Sequence, residues 1–163
     1  MDNLKKIFPA LFIVVAGYLT AIGQDNYFKP AHSTIINSSK REYMCRRAAN
    51  GQQQAITGYW DIRLSDLEKL ENNFKKVLKL KSQEISVNNL AAFAFQYSGF
   101  IINEKKYIYI NAFYNDPKSD PELRRNNWKN DPVMVRDGGP TYWQAIFDMD
   151  ALEFIQIRFN DSA

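Results

Sequence analysis

Between Lys81 and Leu90 the apolar residues of this chain change their spacing, and no other feature restricts the fold as much. Upstream, Leu67, Leu70, Phe74, Val77 and Leu78 recur at steps of three and four, which places them on one stripe of an α-helix. Downstream the period is two. Phe93, Phe95 and Tyr97 share one face of the stretch from Leu90 to Ile102. From Tyr107 to Tyr114, Tyr107, Tyr109, Asn111 and Phe113 alternate with Ile108, Ile110, Ala112 and Tyr114. The polar run Asn103-Glu104-Lys105-Lys106 between these stretches reads as a turn, so the pair reads as a long hairpin. A helix with one apolar stripe has to bury it, and each such side chain contributes on the order of 1.5–3 kcal/mol before the entropy of ordering.

The helix has a start signal in Ser65-Asp66-Leu67-Glu68, the pattern of a capping box. Its far face holds Lys69, Lys75, Lys76 and Lys79, a solvated face or a surface for anionic lipid or polymer. After the hairpin, three Asp-Pro steps (116/117, 120/121 and 131/132) forbid a continuous strand. Asp120-Pro121-Glu122 suits a short helical turn ending near Trp128. Extended structure is expected from Val133 to Arg136 and, after a bend at Asp137-Gly138-Gly139-Pro140, from Thr141 to Phe147. Asp148-Met149-Asp150 then turns the chain into Leu152 to Phe159. Helix and strands are segregated along the chain. The expected class is therefore α+β, one main amphipathic helix packed on a curved antiparallel sheet of four to five strands, with the outer sheet face partly wet.

Residues 1 to 23 have the parts of a secretory signal: basic Lys5 and Lys6, an apolar stretch from Ile7 to Leu19, and the small-residue frame Ala21-Ile22-Gly23, with cleavage expected before Gln24. The expected location is periplasmic or secreted, with no stable membrane insertion after cleavage. Residues 24 to 58 are polar and poorly periodic and read as a flexible arm with one short helical piece around Tyr43 to Ala49; residues 59 to 163 read as a single domain. A formal charge of +3, with 24% charged and 45% apolar residues, gives no steer toward nucleic acid and excludes a multispanning membrane protein. The lone Cys45 cannot make an intrachain disulfide. It is a buried small hydrophobe, a tether to another chain or a free reactive group.

No residue pattern names a reaction. The only histidine, His32, has no second ligand at metal spacing, and no cofactor or metal is expected. Asp137-Gly138-Gly139 offers a carboxylate beside backbone of unusual freedom. It reads as a turn or bulge, or as the general acid/base of an envelope hydrolase assisted by Tyr142. Asp148, Asp150 and Glu153 add carboxylates of unfixed separation. Abundant aromatic residues suggest a groove for a peptide, a small ligand or another envelope protein. The candidate ligand-binding residues are Tyr97, Tyr109, Asn111, Trp128, Asp137, Tyr142 and Trp143.

Gln96-Tyr97-Ser98-Gly99 resembles the Gln-x-Val-x-Gly loop of cystatin inhibitors, but it lies well before the expected turn, where no loop tip forms. In element order the chain resembles the cystatin-like roll, an architectural likeness only. A further series runs through Trp60, Leu67-Glu68, Gln96-Tyr97-x-Gly99, Ile108-Tyr109-Ile110-Asn111-Ala112-Phe113, Trp128, Pro132-Val133, Asp137-Gly138-Gly139 and Phe159-Asn160. It resembles a group of small exported bacterial proteins of uncharacterised function over roughly residues 59 to 163. That resemblance implies an envelope location and one domain, with no mechanism attached. The sequence thus favours a non-enzymatic binding or interaction module.

Overall fold

A computed structural model describes residues 26–37, 39–49, 55–80, 87–115, 127–135 and 138–160. The signal segment, the first two Asp-Pro steps, the helical turn expected from Asp120, and Asp137 lie outside the described residues. The fold is α+β around a mixed sheet of six strands: β1 (Ser33–Ile35), β2 (Gly58–Trp60), β3 (Phe93–Ile102), β4 (Lys105–Tyr114), β5 (Tyr142–Asp148) and β6 (Glu153–Phe159). The spatial order is β1-β3-β4-β5-β6, with β2 beside β3 beyond the end of β1. Two ten-residue helices, α1 (Lys40–Ala49) and α2 (Leu64–Asn73), accompany a four-residue helix α3 (Val87–Leu90).

The sheet departs from the sequence reading in two respects. β1 runs parallel to β3, so the sheet is mostly rather than purely antiparallel, with six strands in place of four to five. β1 comes from the segment read as a flexible arm, and so does α1, which contains the helical piece expected around Tyr43 to Ala49 and starts earlier, at Lys40. The signal there is short: β-branched Thr34, Ile35 and Ile36, then Met44 and Cys45, which α1 buries fully among polar neighbours.

The amphipathic segment lies where its stripe demands. Leu70, Phe74 and Val77 are fully buried, and Leu67 and Leu78 pack partly buried against the same core. The segment starts one residue ahead of Ser65. Arg63 takes the cap position, and the Asp66 carboxylate accepts its backbone N–H at 3.0 Å, the returning half of a capping box. From Phe74 to Lys79 the helix tightens into a 3₁₀ turn, where residues three apart stack and Phe74 and Val77 face one core. Lys76 leaves the expected solvated face: its ammonium donates to Leu152 O at 2.9 Å and to Glu153 at 2.7 Å.

The hairpin forms with a tighter turn than expected. Asn103 and Glu104 both have positive φ, 48° and 66°, giving the two-residue turn whose twist matches the strands, and Lys105 already belongs to β4. This register places Gln96 opposite Asn111 and Gly99 opposite Ile108. Gly99 is required by close approach. Trp60 crosses it so tightly that a Cβ there would stand 2.4 Å from Trp60 O and 2.8 Å from the indole, whose N–H is shared by Phe100 O at 3.1 Å and Tyr107 O at 3.2 Å.

Both faces of β3 and β4 are covered, where one had been expected to be partly wet. α2 and its 3₁₀ extension cover Phe95, Tyr97, Ile108, Ile110 and Trp143. On the other face α1 and Ile36 cover Phe100, Ile102, Tyr109 and Ile146. Overpacking a filled contact costs about 1–3 kcal/mol. We expect Gly99→Ala to destabilise by about that amount in urea unfolding, whereas Gly58→Ala, whose Cβ would meet Ile101 only at 3.7 Å, leaves the midpoint nearly unchanged.

Candidate functional site

The second sheet face carries a row of polar side chains along one line of the register: Thr34, Gln96, Asn111, Gln144 and Arg158. Gln96 is fully buried, and Asn111 and Gln144 are nearly so. Buried amides need partners. Those of Gln96 and Asn111 are supplied by the segment Asn127–Val135, which crosses the sheet as a strap, and that of Gln144 by Asn160. Gln96 Nε2 donates to Trp128 O at 2.5 Å and to Asp131 O at 2.7 Å, while Gln96 Oε1 accepts from Asn111 Nδ2 at 3.0 Å and from Val133 N–H at 2.9 Å. Asn111 Nδ2 also donates to Val133 O at 2.8 Å. At one end Thr34 Oγ1 donates to Lys129 O at 2.9 Å. At the other, Asn160 Nδ2 donates to Val135 O at 2.6 Å, while Asn160 Oδ1 accepts from Gln144 Nε2 at 2.8 Å. Thr34, Gln96, Asn111 and Asn160 each bond a main-chain atom of the strap, and Gln144 reaches it through Asn160.

Val133–Val135, expected as extended structure, belongs to no strand. Side chains standing up from the sheet satisfy its backbone in place of a ladder. Trp128 packs edge-on against Phe113, centroids 5.7 Å apart, and Val133 is buried against Ala94 and Phe113 with Tyr142 beside them. The Lys40 ammonium bonds the Asp131 carboxylate and so ties the strap to α1.

The sequence-derived candidates do not converge on one groove. Tyr97 and Trp143 lie in the core beneath α2, and Tyr109 lies beneath α1. The reason is the double coverage of the sheet: on such a sheet, alternating aromatics of either phase face a core. Asn111 belongs to the polar row, Trp128 is half-buried on the strap, and Tyr142 is half-buried beside Gly138, where a Cβ would stand 2.1 Å from its ring. Asp137 lies outside the described residues. Gly139 has φ 50°, and Gly139–Thr141 forms a 3₁₀ turn rather than a hairpin bend. Of the other carboxylates, Asp148 accepts the backbone N–H groups of Asp150 and Ala151 in a turn, and Glu153 pairs with Lys76. Gln96-Tyr97-Ser98-Gly99 lies within β3, away from any loop tip.

Cys45 is fully buried. Burial pushes its thiol up to about 12, against smaller opposing effects of the Ser98 hydroxyl and Arg41. Burial likewise raises the Tyr97 phenol, with a further push from Glu71 and a smaller opposing effect of Ser33. Neither group is poised as a nucleophile or base near neutrality. Among the described residues there is no cluster of His, Cys, Asp and Glu able to hold a metal, and no helix long and apolar enough to cross a membrane.

An open cleft of about 270 Å³ lies where the end of β1, the start of α1 and the turn of the strap meet. Its lining is Ile35, Ile36, Asn37, Lys40, Lys129 and Asn130. Sequence reasoning missed all six, because four lie in the segment read as an arm and the other two become neighbours only when the strap is pegged down. Compared with known protein families, curated proteins and solved structures, the chain matches none of them.

Two outcomes follow from this geometry. Gln96→Leu strands two carbonyls, the Val133 N–H and one Asn111 donor, and is expected to cost at least about 1–3 kcal/mol in chemical denaturation; parallel loss of Trp128 fluorescence character would report release of the strap. For Cys45, the unfolded thiol releases its proton from its ordinary value of 9.0 upward, whereas the folded one holds it to about 12. Its contribution to stability is thus complete below pH 9.0 and is lost across that window. At pH 8 a thiol reagent should label Cys45 only after denaturant is added.

Proposed function

We propose that this protein is an exported, non-enzymatic binding module that takes its ligand in the cleft between β1, α1 and the strap. The observation that carries the reading is the cleft's composition: it is lined by the apolar Ile35 and Ile36, by Asn37 and Asn130, and by two lysines, Lys40 and Lys129. Asp131 pairs with Lys40, so these three charged groups leave a net positive charge at the rim. A small ligand with an anionic group and a short apolar part suits that lining.

The periplasmic or secreted location is part of the same proposal and rests on the signal-like residues 1 to 23, as does membership of a group of small exported bacterial proteins. The likeness to a cystatin-like roll is part of the same proposal, and what supports it is element order alone: β2, α2 and then β3 to β6, with β1 and α1 preceding them. It brings no inhibitory loop with it. The reading of a hydrolase built on Asp137 draws no support from the described carboxylates, and the reading of Lys69, Lys75, Lys76 and Lys79 as an anion-binding face is weakened by Lys76 being committed to Leu152 and Glu153.

Millimolar butyrate, followed by amide chemical shifts, tests the proposal. The signals of Asn37, Lys129 and Asn130 are expected to move together and saturate, and Lys129→Glu should abolish the response while leaving the unfolding midpoint within the error of the wild type. Shifts scattered over the surface, or none, would overturn it.

A further inference from the structure

The two edges of the sheet are unlike. Along β6 the register slips between Ile146 and Phe147, leaving Ile155 as a bulge, and the strand carries Glu153 and Arg158, with Lys76 bonded across its start. Bulges and charges are the devices by which sheets protect an open edge. β1 carries neither: its residues are Ser33, Thr34 and Ile35.

Parallel pairing sends the main-chain groups of alternate residues to opposite sides. His32 O accepts from Phe95 N–H at 3.0 Å, and Ile36 N–H donates to Tyr97 O at 2.8 Å. His32, Thr34 and Ile36 therefore face β3, while Ser33, Ile35 and Asn37 turn their N–H and C=O groups outward. Among the described residues no strand lies beyond β1. The outward row ends at Ile35 and Asn37, two of the residues that line the cationic cleft.

From this juxtaposition we propose that the partner is an extended peptide that adds to β1 as a further parallel strand and delivers its C-terminal carboxylate to the cleft beside Lys129. The inference rests on the cleft reading above and deepens it. Main-chain pairing with Ser33, Ile35 and Asn37 supplies the attachment. The positive rim selects a chain end, because a peptide running parallel to β1 reaches Asn37 with its C-terminus. The occupant's side chains matter less than its backbone, which makes a terminal segment with β-branched residues the preferred class.

The probe is acetyl-Thr-Val-Thr-Val-Thr-Val with a free C-terminus, titrated into the full chain. We expect saturable shifts of the Ser33, Ile35 and Asn37 amides. C-terminal amidation of the peptide, or Lys129→Glu in the protein, should weaken binding at least about tenfold. Methylating the peptide nitrogens that face β1 should abolish binding, and methylating the alternate nitrogens should leave it intact. Equal tolerance of both methylation patterns, indifference to amidation, or shifts confined to Ile155–Phe159 would overturn the proposal. Binding of butyrate without binding of the peptide would defeat strand addition and leave the cleft reading standing. Failure of both probes would defeat both.

Discussion

A primary amide buried beneath a strap has to be satisfied on both its oxygen and its nitrogen, and Gln96 meets that demand with four partners at once. Its nitrogen holds Trp128 O and Asp131 O, and its oxygen holds Asn111 and the Val133 N–H. The rest of the second sheet face follows. The strap cannot lie elsewhere without leaving these groups unpaired in a region closed to water, a loss larger than the modest net gain of making them. With the strap in place, Trp128 reaches Phe113, Asp131 reaches Lys40, and the turn at Lys129 and Asn130 forms one wall of the cleft. The other wall, β1 and α1, is joined to it through Thr34.

How much of this was legible depends on whether the signal was local. The stripe from Leu67 to Leu78 and the alternation from Tyr107 to Tyr114 are local, and α2, β3 and β4 lie where those patterns put them. Helix starts depend on single hydrogen bonds, and Asp66 serving Arg63 replaced the pairing expected of Ser65 and Glu68. Turn length was harder to read. A polar run of four residues gives no sign that Asn103 and Glu104 alone make the turn, yet the register that unites Gln96 with Asn111 depends on it.

The candidate site was largely illegible because its parts are distant in sequence. Nothing local shows that Thr34 meets Lys129 or that Lys40 meets Asp131. Aromatic richness pointed to a groove, but a sheet covered on both faces consumes aromatics from both phases of the alternation, as Tyr97 and Tyr109 illustrate. Polar residues at core-phase positions of a central strand were the better signal. Gln96 and Asn111 break the apolar pattern of β3 and β4, and such breaks mark where something else must come down on the sheet.

Hydrogen exchange at the Val133 amide tests the account most directly, since that group bonds a side chain and sits in no ladder. If the buried amides hold the strap as part of the folded unit, Val133 exchanges through the same opening as Ile110 in β4 and shows comparable protection. Exchange near the rate of a free peptide, with Ile110 still protected, would show that the strap is not fastened by Gln96 and would remove the wall on which the cleft depends.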